Sequence, residues 1–213
     1  MRKKKLGILC TSFIILIITS IIILYSAIKI IGLKKSSLDG YLFIGDSYTF
    51  FLEKTIERNN PTALVSAKSG VQPDYWNENF STLPDNDKVK GVVLLIGVNG
   101  VTYENNLPDK EKLIDSLVKK YKGKTIYVQK VFPVGKNFTS ADAKSFNKAI
   151  KNHNEKIEEY CKKYDNVVFI DTTKDLVTED GYLKYTSDEL HIISEKQNVF
   201  YRNIKDAIDN NLK

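Results

Sequence analysis

Three uninterrupted apolar runs constrain this chain most: Leu42–Ile44, Val92–Ile96 and Val167–Ile170. A strand with one wet face alternates apolar and polar residues. A run with no polar side is covered on both faces, which suits a parallel sheet flanked by helices. With Tyr41 extending the first run, Ala63–Ser66 and Thr125–Lys130 bring the predicted strands to five. Longer amphipathic segments separate them. Tyr48–Arg58 follows the first strand, and Lys110–Tyr121 carries Leu113, Leu117 and Val118 on one stripe. In Thr139–Tyr164, Phe146, Ile150, His153, Ile157 and Tyr160 recur at three- and four-residue spacing, and Thr139-Ser140-Ala141-Asp142 resembles a capping box at its start. Ser194–Leu212 closes the chain, with Val199, Ile204 and Ile208 facing inward. The alternation predicts an α/β fold, a three-layer αβα sandwich on a five-stranded, mainly parallel, doubly wound sheet. Ligands in such folds bind beyond the carboxyl ends of the strands.

The N-terminal segment is of another kind. Basic residues 2–5 precede an apolar run over residues 6–33, interrupted by small hydroxyl residues, Tyr25 and Lys29. Roughly 20 apolar residues cross a bilayer core, and a cleaved signal peptide has an apolar stretch of only about 7–15. The run is therefore read as an uncleaved transmembrane helix, with Lys29 snorkelling to one interface. Basic residues favour the cytoplasmic side. Residues 1–5 are expected to form a cytoplasmic stub, 34–40 a polar linker, and 41–213 a domain outside the cytoplasm. Seven of the 32 basic residues and none of the 26 acidic ones fall in residues 1–35, so the remainder carries 25 against 26. The basic excess belongs to residues 1–35, and the domain has no bulk charge for nucleic acid. Cys10 lies in the apolar run and Cys161 on a predicted helix, which makes a mutual disulfide implausible. The only histidines are His153 and His191, and no metal or other cofactor is called for.

Several residues that carry chemistry follow the predicted strands. Ser47, in Gly45-Asp46-Ser47, lies between the first strand and a helix, either as a nucleophile beside a helix N-terminus or as a plain N-cap. A serine hydroxyl needs a base to become nucleophilic, and His191 is the candidate. Asp188, three residues earlier, can fix the tautomer of the imidazole and stabilise the imidazolium. Glu189 is expected to point into solvent, and His153 to be structural or partly exposed. Asn99, in Gly97-Val98-Asn99-Gly100, can donate its amide to an oxyanion or simply form an Asn-Gly turn. Gly70 can bring a backbone N–H to the same point or be a loop glycine at positive φ. All these positions fall at one edge of the sheet.

The sequence resembles the SGNH, or GDSL-type, hydrolase superfamily over roughly residues 40–210. The matching blocks are Gly45-Asp46-Ser47, Gly70, Gly97-Val98-Asn99 and Asp188–His191. The resemblance implies a flavodoxin-like sandwich and a triad of Ser47, His191 and Asp188. It implies an oxyanion hole from the Ser47 and Gly70 backbone amides and the Asn99 side chain. Tyr48 stands where a leucine commonly follows the serine, a change expected to alter local packing. Gly100 replaces a second acidic residue that supports the loop in the family. The expected function is a membrane-anchored serine hydrolase cleaving carboxylic esters through an acyl-enzyme. One alternative is an O-acyltransferase or deacetylase whose partner is an acylated cell-wall or surface polysaccharide. Another is a degenerate glycan- or partner-binding module with Tyr75, Trp76 and Phe80 as an aromatic wall. Val131–Gly135 and Tyr75–Phe80 are expected to line the substrate pocket.

Overall fold

The computed structural model describes residues 17–20 and 37–212. Residues 17–20 are helical, and the rest of the expected anchor over 6–33 lies outside the described residues, as does Cys10. Among the described residues, no helix is long and apolar enough to cross a membrane. One compact unit begins at Ser37. Leu38, assigned to the linker, is fully buried, so the folded domain starts earlier than position 41.

Five strands form one parallel sheet in the order β2-β1-β3-β4-β5. They are β1 (Tyr41–Gly45), β2 (Leu64–Ala67), β3 (Gly91–Leu95), β4 (Thr125–Gln129) and β5 (Val167–Ile170). Within residues 37–212, five α-helices accompany them: α1 (Ser47–Asn59), α2 (Pro73–Glu78), α3 (Asn106–Lys120), α4 (Ala143–Cys161) and α5 (Gln197–Asn211). The doubly wound α/β sandwich expected from the apolar runs is present, and the sheet is parallel throughout.

Successive residues of the central strands serve opposite faces, and both faces are covered. Phe43, Val93, Leu95 and Tyr127 pack with Leu52 and Ile56 of α1 and Phe200, Ile204 and Ile208 of α5. Leu42, Ile44, Val92, Leu94, Ile126 and Val128 pack with Leu113, Ile114 and Leu117 of α3 and Ile157 and Cys161 of α4. A fully buried aliphatic side chain contributes about 1.5–3 kcal/mol, so these two layers hold the sheet edge on which the loops stand. β1 lies between β2 and β3. The crossovers from its two sides therefore part at the carboxyl ends of β1 and β3, where a doubly wound sheet opens a crevice.

Some boundaries differ from expectation. The helix read from Thr139 starts at Ala143, capped by Asp142, whose carboxylate accepts from Ser145 N at 2.8 Å. The segment read as a helix from Ser194 begins with a 3₁₀ turn over Ser194–Lys196 before α5.

Candidate active site

The turn after β1 is built for close approach. A Cβ on Gly45 would lie 2.1 Å from Thr49 Oγ1 and 2.3 Å from the Leu95 carbonyl. Glycine is required there by contact with β3, not by a left-handed backbone. Asp46 is the N-cap of α1, and its carboxylate accepts from Tyr48 N at 3.1 Å. Ser47 is thus the first residue of the helix and not its cap. Its hydroxyl is free for another partner, and its Oγ lies 2.8 Å from His191 Nε2.

His191 is held from its other nitrogen. Nδ1 lies 2.6 Å from Asp188 Oδ2. Asp188 Oδ1 accepts from His191 N at 2.7 Å, from Leu190 N at 3.0 Å and from Thr186 Oγ1 at 3.2 Å. Burial pushes the Asp188 carboxyl up, but the His191 ring and the two backbone N–H groups outweigh it and hold the carboxyl well below its ordinary range. An ionised Asp188 fixes the proton on Nδ1, leaving Nε2 to accept from the Ser47 hydroxyl.

Two neighbours that the sequence understates hold this loop. Glu189 is not a solvated bystander. It has a left-handed φ of 63°, its carboxylate accepts from Asn137 N at 2.9 Å, and its carbonyl accepts from Gly135 N at 2.7 Å. The turn carrying Asp188 and His191 is thereby fastened to the segment after β4, which offsets the strain of a non-glycine residue at positive φ. Tyr48 does more than alter packing. Its ring lies 5.7 Å from that of His191 and stacks on Phe132 at 5.3 Å, while its hydroxyl donates to the Leu190 carbonyl. Tyr48→Phe removes that donor from a partly buried carbonyl and is expected to cost about 1 kcal/mol. A melting curve should fall by about 2–4 °C for a domain of this size.

The proposed oxyanion residues occupy two adjacent loops. Gly70 is exposed after β2 at φ 77°. Asn99 and Gly100 form the turn from Val98 to Val101, with Gly100 at φ 68°. The Asn-Gly turn reading therefore holds. Asn99 Nδ2 donates to the Val71 carbonyl at 3.1 Å, which ties the two loops, and one amide hydrogen remains. The support expected from an acidic residue at position 100 comes instead from buried Asn106, whose Nδ2 donates to the Asn99 carbonyl at 2.7 Å. The spacing of seven residues to Asn106 gave no sequence signal.

The expected pocket linings are redistributed. Trp76 is buried, and its Nε1 donates to the Gly45 carbonyl at 3.1 Å. Tyr75 and Phe80 pack against the core beside it. Trp76 thus holds the turn before Ser47 through the Gly45 carbonyl, while Tyr75 and Phe80 are half-exposed. The exposed aromatic pair is Phe50 and Phe51 (45% and 48% accessible), with the Phe51 ring edge-on to His191 at 5.0 Å. Val131 and Pro133 line a cavity of about 660 Å³ with Lys130, Asn154 and Asp171, which none of Ser47, Asp188 and His191 reaches. His153 is buried in α4, in agreement with a structural role.

Comparison with known proteins places this arrangement. Residues 36–194 match the sequence model of the GDSL-like lipase/acylhydrolase family. No significant match is found among curated proteins. A Streptococcus pneumoniae structure provisionally named a platelet activating factor shares 26% identity over 79% of this chain and 83% of its own, with a TM-score of 0.70. A GDSL-like lipase from Bacteroides thetaiotaomicron shares 18% identity over 87% and 94%, with a TM-score of 0.65. The catalytic domain of a Streptococcus pneumoniae peptidoglycan O-acetyltransferase, bearing a methylsulfonyl adduct, shares 20% over 82% and 95%, with a TM-score of 0.55. The chain belongs to the GDSL-like lipase/acylhydrolase family, enzymes that hydrolyse ester bonds.

Proposed function

We propose that the chain is a membrane-anchored serine esterase that works outside the cytoplasm, with Ser47 as nucleophile, His191 as base and Asp188 as its orienting carboxylate. The observation that carries this reading is the relay from Asp188 Oδ2 through both ring nitrogens of His191 to Ser47 Oγ, with links of 2.6 and 2.8 Å. Ser47 Oγ attacks the acyl carbonyl carbon while its proton passes to His191 Nε2. The tetrahedral oxyanion is met by the Ser47 and Gly70 backbone amides and the remaining Asn99 N–H. On collapse the ester C–O bond breaks, and His191 returns the proton to the departing alcohol. Water then attacks the acyl-enzyme by the same route and releases the acid. The apolar run over residues 6–33 and the basic cluster before it support the anchor and its orientation.

A fluorophosphonate probe tests the central step. Labelling of the full-length protein at Ser47, weakened by His191→Ala, is expected. A folded protein that neither labels nor cleaves short aryl esters contradicts the reading. The same acyl-enzyme serves a second reading, in which a polysaccharide hydroxyl replaces water as acceptor or an acetylated glycan is the substrate. The exposed Phe50–Phe51 pair beside His191 favours it, because an aromatic face offers a sugar ring a stacking surface. Incubation with acyl donor and glycan oligomers distinguishes the two: acylated glycan marks transfer, free acid marks hydrolysis. Of the aromatic residues a non-catalytic binding module would present, Trp76 is buried and Tyr75 and Phe80 are half-exposed.

Asn99→Ala is expected to lower kcat by about 10²–10³-fold, the usual effect of deleting an oxyanion donor. Because the same amide holds Val71, a loss of about 1 kcal/mol in stability should accompany it. A kcat within threefold of the parent, in a variant that melts a few degrees lower, removes Asn99 from the oxyanion hole.

A further inference from the structure

Within residues 37–212, the exposed large apolar side chains are Phe50, Phe51, Tyr103 and Leu212. Single exposed apolar residues are ordinary, but adjacent ones form a patch that marks a contact site. Phe50 and Phe51 are such a pair, with their rings edge to face at 5.6 Å. Ser47, Phe50 and Phe51 are positions i, i+3 and i+4 of α1, which share one face of a helix. Helical side chains lean toward the N-terminus of their helix. Both rings therefore lie over the turn that carries Ser47.

The surroundings of His191 show which side of it is open. Its two aromatic neighbours are Tyr48, at 5.7 Å between ring centroids, and Phe51, at 5.0 Å. Tyr48 is buried and Phe51 is nearly half exposed. Phe51 therefore borders the solvent side of the imidazole, from which an ester approaches. His191 takes the Ser47 proton at Nε2 and then gives it to the departing alcohol. The alcohol oxygen must come within about 3 Å of Nε2 for that transfer. The carbonyl oxygen is committed to the donors on the loops after β2 and β3. The alcohol is thus the half of the ester that proton transfer draws to His191, and Phe51 neighbours whatever that oxygen carries.

We infer that Phe51, backed by Phe50, selects the alcohol half of the substrate: it favours an alcohol built on a ring with a flat C–H face, a pyranose or an aryl group, over an open-chain one. This rests on the esterase reading of Ser47. The negative face of an aromatic ring attracts the positive edge or C–H bonds of another ring. Deacylation retraces the same path, so an acceptor hydroxyl that replaces water enters past the same rings. Selection by Phe51 therefore acts on the alcohol and not on the length of the acyl chain.

The test compares full-length Phe51→Ala with the parent on phenyl acetate, an O-acetylated methyl glucopyranoside and trifluoroethyl acetate, which has no ring. Dividing the kcat/KM of the variant by that of the parent cancels the intrinsic reactivity of each ester. The quotient should be about tenfold lower for a ring ester than for trifluoroethyl acetate, the effect of losing one aromatic contact. A loss confined to the glycoside identifies a pyranose, and one confined to phenyl acetate an aryl alcohol. Replacing acetyl by butyryl on the phenyl ester should not change the quotient. Phe51→Tyr, which keeps the ring, should restore the preference of the parent, and Phe51→Leu stands in if Phe51→Ala does not fold. An equal loss on all esters, or a quotient that follows acyl length, overturns the inference. A saturation-transfer measurement on phenyl acetate needs no turnover. With full-length Ser47→Ala, its ring protons should receive more saturation than its acetyl methyl, and adding Phe51→Ala should remove the difference. A difference that persists without Phe51 overturns the inference. If the parent protein fails to label or cleave esters, the reading of Ser47 falls, while saturation transfer still decides whether Phe51 takes the ring.

Discussion

Ser47→Ala is expected to abolish ester cleavage, with kcat lowered by about 10⁶-fold and fluorophosphonate labelling lost. Loss of a serine nucleophile removes the covalent route, and only binding and oxyanion donors remain to act on attack by water. The substitution should be nearly silent in the fold. Ser47 is the first residue of α1, the capping bond belongs to Asp46, and the Ser47 hydroxyl has His191 Nε2 as its partner. Alanine also has the higher helix propensity. Melting temperature is therefore expected to stay within a few degrees of the parent while activity vanishes. Ser47→Ala retaining more than about a hundredth of the parent rate would mean that another group attacks the ester, and the relay to His191 would then be structural.

The strands were legible wherever both faces of the sheet are covered, because an unbroken apolar run has few other homes. β2 shows the converse. It is an edge strand with every residue half-buried, so no continuous run marks it, and its start is displaced by one residue from expectation. α2 has only six residues, too few for a helical period to emerge, and Pro73 in its first turn was its one local signal. At the start of α4, Thr139 and Asp142 are both capable caps. The choice is made by which side chain reaches a free N–H three residues on, and Asp142 reaches Ser145 N.

Within the site, Ser47, Asp188 and His191 could be found because serine, carboxylate and imidazole are informative residue types at strand ends. Tyr48 and Glu189 could not, because their partners are the Leu190 carbonyl and Asn137 N. Backbone atoms leave no trace in sequence pattern. Lys110 did leave one: it interrupts the stripe of Leu113, Ile114 and Leu117 at helical spacing. A lysine there reads as a misplaced surface residue until its full burial is seen.

Asp188→Asn is expected to lower kcat by about 10⁴-fold, the effect of leaving the histidine in the wrong tautomer. The change is nearly isosteric, and an asparagine Oδ1 can still accept from His191 N, Leu190 N and Thr186 Oγ1, the three bonds that shape the turn. What changes is the atom facing the ring. An amide NH₂ in place of Oδ2 donates to Nδ1, which moves the imidazole proton to Nε2 and aims a donor at Ser47 Oγ instead of a lone pair. Asp188→Asn should be less stable than the parent at neutral pH, and the difference should close in acid. Because the folded carboxyl of Asp188 titrates below its unfolded value, the unfolded chain binds the extra proton first. The stability contributed by Asp188 is therefore complete above about pH 4 and is lost as the pH falls through the folded titration. The parent should accordingly lose more stability than Asp188→Asn below pH 4. Thermal melts at pH 7 and pH 3, set beside kcat, separate the two roles. If Asp188→Asn keeps kcat within tenfold of the parent, Asp188 shapes the loop and does not set the tautomer of His191.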